Sequence, residues 1–160
     1  EDDVITHPGI VDFINVNYEE MMKFDITHFS VNNDAILESI SPEGIHTLKL
    51  FANQYPSPRF IKQTLERTNL NEVRIDKLIT SFGASAYFVS PQGADLLTKK
   101  IFPFKGTPIK LPLKDQDFIP TGIDSEAIRY YKDIKAIVCN PLIAYSPNND
   151  SNTKKKSFEF

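Results

Sequence analysis

Positions 82–97 read FGASAYFVSPQGADLL, and this stretch decides the fold. Its first half, 82–89, combines small and aromatic residues and predicts a β-strand. Its second half predicts an α-helix with Ser90 as the N-cap and Pro91 at the first helical position, where proline is well tolerated. The buried side of that helix would carry three apolar residues, Ala94, Leu96 and Leu97. A strand that leads directly into a helix is typical of α/β folds.

The rest of the chain extends this pattern in both directions. Apolar residues at helical spacing predict a helix over positions 10–22, and a shorter helix is expected over 124–131. Alternating or apolar runs predict strands at 24–29, 45–52 and 134–139. Positions 60–80 permit a helix or strands, and we favour strands there. Residues 103–122 are rich in proline, lysine and glycine and predict a long loop.

Composition excludes several classes of protein. The 160 residues are 41% apolar, which argues against disorder, and no apolar run approaches the length needed to cross a bilayer. The net charge of -3 disfavours a general nucleic-acid binder, so nucleic acid is not expected among the partners. The single cysteine, Cys139, rules out an internal disulfide and a cysteine zinc site. Its apolar neighbours predict a buried strand residue.

The chain opens on three carboxylates, Glu1, Asp2 and Asp3, followed by the apolar pair Val4 and Ile5. Clustered hard oxygens are the ligands that Mg²⁺ and Mn²⁺ prefer. With a diphosphate on that metal, the natural interpretation is a nucleotide or nucleotide-sugar site. A motif of this kind normally ends a strand and none precedes it here, so we expect the chain to be the later part of a longer protein. The alternative is a solvated acidic terminus.

Several other polar residues allow two interpretations. His28, on a predicted strand, is expected to be half-buried and hydrogen-bonded rather than part of a site. Gly93 is expected to permit close helix–strand packing. Three lysines of the long loop, Lys105, Lys110 and Lys114, either attract an anionic acceptor or are simply solvated. Lys154, Lys155 and Lys156, in a polar tail at 148–160, allow peripheral contact with an anionic membrane, although three lysines are few for lipid binding.

Four landmarks occur in a fixed order along the chain. They are Glu1-Asp2-Asp3-Val4, the strand at Phe24-Asp25-Ile26, the stretch at 83–97, and Gly122-Ile123-Asp124 followed by Asn140-Pro141-Leu142-Ile143. Together they resemble the family 25 glycosyltransferases, which are lipopolysaccharide and lipooligosaccharide sugar transferases of bacteria with relatives that galactosylate collagen. The resemblance extends from residue 1 to about Ser146. Its most specific part is the Ala-Tyr-x-x-Ser-x-x-Gly-Ala-x-Leu-Leu pattern within 83–97.

The resemblance implies a fold, a cofactor and a set of site residues. The fold would be the C-terminal part of a Rossmann-like, GT-A-like α/β transferase, with a mixed sheet and flanking helices. Mn²⁺ or Mg²⁺ would lie on Asp2 and Asp3, and these two residues with Glu1 would bind the UDP-sugar donor. Asp124 matches the position of the family's catalytic aspartate, which would accept the proton of the acceptor hydroxyl. Glu126 is a substitute for it, because the chain has Ser125-Glu126 where family members often carry a histidine or tryptophan. The alternative for Asp124 is a plain helix cap.

The function implied is transfer of a sugar, galactose by resemblance, from a nucleotide sugar to a lipopolysaccharide-type glycan or glycolipid acceptor. Residues 1–147 would be the C-terminal portion of the catalytic domain. The family's first nucleotide-binding strands are not in this sequence, so we expect little turnover of UDP-galactose by this chain alone. The compartment implied is the cytoplasm, at or near the inner face of the membrane. The alternative is a non-catalytic glycan-binding or scaffold module built on a transferase framework.

Overall fold

A computed structural model of the protein describes residues 3–32, 36–50, 55–111 and 117–147. The helices in these ranges are α1 (Ile10–Met21), α2 (Pro58–Arg67), α3 (Pro91–Ile101) and α4 (Ile123–Ala127), with 3-10 turns at Leu70–Glu72 and Ile128–Tyr130. The strands are β1 (Ile5–Thr6), β2 (Ile26–His28), β3 (Ile36–Ile40), β4 (His46–Leu50), β5 (Arg74–Ser81), β6 (Tyr87–Val89), β7 (Ile109–Lys110), β8 (Asp117–Phe118), β9 (Ala136–Asn140) and β10 (Ala144–Tyr145).

Six of these strands form one mixed sheet in the order β4-β3-β5-β9-β2-β6. Strands β2 and β9 run parallel at its centre, and the remaining neighbours are antiparallel. Two short antiparallel pairs, β1 with β10 and β7 with β8, complete the described strands. The predicted α/β class, with a mixed sheet and flanking helices, is therefore confirmed.

Side chains along a strand alternate between the two faces of the sheet, so each face carries its own apolar side chains. Helices pack on both faces. On one face, Ile26 and Val138 pack in an apolar cluster with Leu97 of α3 and Ala127 of α4. On the other face, Cys139 packs in a second cluster that includes Phe13 and Met21 of α1. The buried position of Cys139 in a strand confirms the sequence prediction, and burial raises the pKa of its thiol to about 12.

The preference for strands at 60–80 is wrong for the first half of that range, which forms α2. Ser57 is its N-cap and accepts a hydrogen bond from the backbone N–H of Phe60, at 3.3 Å. Pro58 occupies the first turn, and Ile61 and Leu65, four residues apart, supply the buried side. The second half of the range does form a strand, β5.

Other boundaries also differ from the sequence prediction. The strand expected at 82–89 is confined to β6, because Gly83 adopts a φ of +71° and breaks the extended backbone before it. Strand β3 was not predicted at all. The long loop expected at 103–122 contains the two short strands β7 and β8. The strands predicted at 24–29, 45–52 and 134–139 and the helix predicted at 10–22 are confirmed within a few residues.

Candidate functional site

A cavity of about 450 Å³ lies between the sheet, α3 and α4. Apolar side chains such as Ile26, Leu97 and Ile101 make up most of its wall, and the polar groups that face it include Tyr87, Asp124 and Tyr131. Its size and its few polar groups in an apolar wall are typical of small-molecule sites. Apart from Ile26, the wall comes from two parts of the sequence, 84–102 and 123–131.

The apolar wall depends on how closely α3 approaches β2. The Ser90 hydroxyl caps α3 by accepting a hydrogen bond from the backbone N–H of Gly93, at 3.0 Å, as predicted. A β-carbon placed on Gly93 would lie 1.9 Å from the backbone oxygen of Asp25. Only glycine fits at this position, and the expectation that Gly93 serves helix–strand packing is confirmed.

Asp124 reaches the cavity from the first turn of α4. The Ser125 hydroxyl accepts hydrogen bonds from the backbone N–H groups of Thr121 and Gly122, at 3.2 and 3.0 Å, and so fixes the start of this short helix. A β-carbon on Gly122 would lie 2.8 Å from Oδ1 of Asp124. The half-buried carboxylate of Asp124 therefore folds back over the glycine while it faces the cavity.

Tyr131 closes the inner end of the cavity and is fully buried. Burial raises the pKa of its phenol above the usual range, the Ser81 hydroxyl beside it opposes that shift, and Asp124 and Tyr87 add to it. Neither the Tyr131 phenol nor the Ser81 hydroxyl has a hydrogen-bond partner of good geometry among the described residues.

His28 lies behind this end of the cavity, and here the sequence prediction is wrong. The imidazole is fully buried rather than half-buried, and within the described residues neither ring nitrogen makes a hydrogen bond of good geometry. Burial lowers its pKa to about 4, and the backbone at Ser30 opposes that shift only in part. The imidazole is therefore neutral at physiological pH, and its ring packs against Tyr131 and Tyr87.

Glu126 has different surroundings from Asp124, although both belong to α4. Its buried carboxylate pairs with Arg129, whose Nε lies 2.9 Å from Oε1. The same guanidinium donates to the backbone oxygens of Thr107 and Pro108, at 2.6 and 3.4 Å. Glu126 thus holds an arginine that ties the 103–122 segment to the domain, and it is not among the side chains that form the cavity wall.

The N-terminal acids lie elsewhere. Glu1 and Asp2 lie outside the described residues, so their predicted roles stay predictions. Asp3 is half-buried and precedes β1, and its Oδ2 accepts a hydrogen bond of 2.8 Å from the Ser146 hydroxyl. Asp3 is not part of the cavity wall that carries Asp124. A carboxylate and a hydroxyl are hard oxygen donors of the kind that suits Mn²⁺ or Mg²⁺.

Within residues 3–32, 36–50, 55–111 and 117–147, no three His, Cys, Asp or Glu side chains gather closely enough to hold a metal ion. Over the same ranges, none of the helices has the length and hydropathy needed to cross a bilayer.

Two residues of the cavity were missed in the sequence, Tyr87 as a wall residue and Tyr131 as its inner end. A signal for Tyr131 exists, because it follows Asp124 by seven residues, or two helical turns, and such residues share a helix face.

Comparison of the chain with protein-family models, with curated proteins and with solved structures returns no match.

Proposed function

We propose that the chain is the C-terminal portion of a metal-dependent glycosyltransferase of the family 25 type, with a Rossmann-like, GT-A-like fold. It would transfer galactose from a UDP-sugar to a lipopolysaccharide-type acceptor. The observation that carries the proposal is the shared cavity. The 83–97 stretch and the Gly122-Ile123-Asp124 landmark, which bear the resemblance, both contribute to its wall. The parallel pair β2 and β9, with helices on both faces of the sheet, supports a fold of this kind.

Asp124 is the proposed general base. Its carboxylate accepts the proton of the acceptor hydroxyl while that oxygen forms a bond to the anomeric carbon and the bond to the diphosphate breaks. A single displacement of this kind inverts the anomeric configuration. Glu126 is the weaker candidate, because its carboxylate is already neutralised by Arg129.

The cavity wall suits both the C–H faces and the hydroxyl groups of a sugar ring. Apolar and aromatic side chains such as Tyr87 pack against the C–H faces of a pyranose and exclude water from the reacting atoms. Asp124 is a hydrogen-bond acceptor for sugar hydroxyls, whereas the phenol oxygen of Tyr131 is buried from solvent.

By the resemblance, Asp2 and Asp3 would hold the divalent cation. Asp3 accepts a hydrogen bond from Ser146 and lies outside the cavity wall that carries Asp124. When bound, such a cation neutralises the charge that develops on the departing nucleoside diphosphate. Calorimetric measurement of the affinity for UDP-galactose, with and without Mn²⁺, tests this proposed cation site. We expect Mn²⁺-dependent binding that Asp3→Ala abolishes.

Ser146→Ala is the matched control, because it removes the hydrogen bond to Asp3 and leaves the carboxylate. We expect it to retain Mn²⁺-dependent binding with a modest loss. Binding of glycans without metal, and no binding of UDP-galactose, would instead favour the non-catalytic module. Loss of binding in both variants to the same extent would mean that Asp3 acts only through its contact with Ser146.

A further inference from the structure

The segment that follows α3 presents two aromatic side chains to solvent. Ile101 is buried and anchors the segment, whereas Phe102 and Phe104 are 48% and 46% exposed. Their rings stack with centroids 5.1 Å apart and an interplanar angle of 24°. We call these two residues the aromatic tip. An exposed pair of large aromatic rings indicates a contact surface, since single exposed apolar residues are the common case.

Lysines flank the aromatic tip on both sides. The ammonium groups of Lys100 and Lys105 lie 5.5 and 4.9 Å from the centre of the Tyr130 ring, so two positive charges lie close to one aromatic ring. Neither of them forms an ion pair with the described part of the chain. Lys99, the residue before Lys100, pairs with Asp95.

The sequence around the aromatic tip is locally basic in an acidic chain. Positions 96–114 contain five lysines and no aspartate or glutamate, although the chain has 21 acidic residues and a net charge of -3. Of these lysines, Lys100 and Lys105 come together in the structure, over the ring of Tyr130. Positive charge beside exposed aromatic rings is complementary to a surface that is anionic at its headgroups and apolar beneath them.

The aromatic tip also adjoins the cavity. Phe102 belongs to both, and two further exposed apolar side chains of the cavity wall, Tyr87 and Ile123, extend the apolar surface around its mouth. A surface that takes up the aromatic tip would therefore face the opening of the cavity.

We propose that the aromatic tip and its flanking lysines dock the protein on an anionic lipid bilayer. The rings of Phe102 and Phe104 enter the boundary between headgroups and acyl chains, and the ammonium groups of Lys100 and Lys105 bind lipid phosphates. The contact predicted from the sequence at Lys154–Lys156 lies outside the described residues and is not part of this proposal. The proposal does not depend on glycosyl transfer.

The absence of tryptophan from the sequence permits a clean test of insertion. Phe104→Trp gives a single reporter at the aromatic tip, and Phe60→Trp gives a matched one on α2, where Phe60 is 59% exposed. With vesicles of equal phosphatidylglycerol and phosphatidylcholine, we expect a blue shift and quenching by brominated acyl chains for Phe104→Trp alone. Equal responses from both reporters, or no response from either, would overturn the proposal.

Vesicle sedimentation separates the two contributions. We expect Lys100→Gln with Lys105→Gln to weaken partition to the anionic vesicles about thirtyfold, and 0.5 M salt to weaken the unmodified protein similarly. Phe102→Ser with Phe104→Ser should also reduce partition at least tenfold. The control pair Phe60→Ser with Lys62→Gln should change it less than twofold. Equal partition to phosphatidylcholine alone, or self-association through the aromatic tip without vesicle binding, would contradict the proposal.

Discussion

The imidazole of His28 meets the ring of Tyr131 edge-on, with the ring centroids 5.4 Å apart and an interplanar angle of 87°. This contact joins the central strand β2 to the inner end of the cavity. It places a titratable ring, without a hydrogen bond of good geometry in the described chain, next to the phenol that faces Asp124. The stability of the domain and the shape of its cavity are therefore linked through one buried histidine.

The stability of the protein should fall as the pH drops from about 6.5 to about 4. Burial lowers the pKa of His28 from 6.5 to about 4. Between these two pH values, His28 is protonated in the unfolded chain and neutral in the folded chain. Above pH 6.5 both states are neutral at this residue and it contributes no pH dependence. The loss should reach about 3 kcal/mol near pH 4 and then level off. Urea unfolding at a series of pH values measures it.

The contribution of His28 is isolated by comparison with two variants. His28→Phe keeps an aromatic ring against Tyr131 and removes the titration, so its stability should vary less with pH than that of the unmodified protein. Gln92→Ala, at an exposed position without a titratable group, should leave the pH dependence as it was. The prediction is wrong if His28→Phe has the same slope between pH 6.5 and 4 as the unmodified protein.

Glu126 should matter for folding more than for catalysis. Glu126→Gln leaves the Arg129 guanidinium without a charged partner at a buried position, and we expect the free energy of unfolding to fall by about 2 kcal/mol. Asp124→Asn, at a half-buried carboxylate, should cost less than about 1 kcal/mol. Thermal or urea unfolding measures both, and equal losses in the two variants would contradict this division.

Gly93→Ala should destabilise the protein by about 3 kcal/mol. The added β-carbon would lie 1.9 Å from the backbone oxygen of Asp25, and neither the helix nor the strand can yield without disturbing the packing of α3 on β2. Gln92→Ala, at an exposed position one residue earlier, should be neutral or slightly stabilising because alanine is the better helix former. Denaturant unfolding distinguishes the two, and a Gly93→Ala variant of normal stability would refute the close contact.

Cys139 should react with thiol reagents only when the protein unfolds. It is buried in β9, and burial raises the pKa of its thiol to about 12, so the reactive thiolate is scarce at pH 8. We expect no measurable modification by a disulfide reagent over an hour in buffer and complete modification in 6 M guanidinium chloride. Rapid reaction of the folded protein would show that the second apolar cluster is open to solvent.

Elements with strong local signals could be predicted from the sequence. Ser90 and Pro91 define the start of α3, and the apolar run before Asn140 predicts β9. The region at 58–67 could not be assigned by periodicity, because Phe60 points to solvent while Ile61 is buried, which blurs the apolar pattern. Ser57 and Pro58 carried the decisive helix-start signal.

The candidate site was only partly predictable, because it depends on contacts between distant segments. Asp124 could be chosen from the resemblance, and the structure places it in a cavity. The separate role of Glu126 follows from its contact with Arg129 and from the approach of Thr107, which no local pattern reveals. The burial of His28 depends on strands on both sides of β2, so its position in a short alternating segment misled the prediction.

The most direct test of the proposed function is the rate of UDP release from UDP-galactose by the full-length protein with Mn²⁺, with and without glycan acceptor. We predict that Asp124→Asn lowers kcat by about 10²- to 10⁴-fold with little change in KM. Asp133→Asn, at an exposed aspartate outside the cavity wall, should retain the normal rate. An Asp124→Asn variant that turns over UDP-galactose as fast as the unmodified protein would contradict the assignment of Asp124 as the general base.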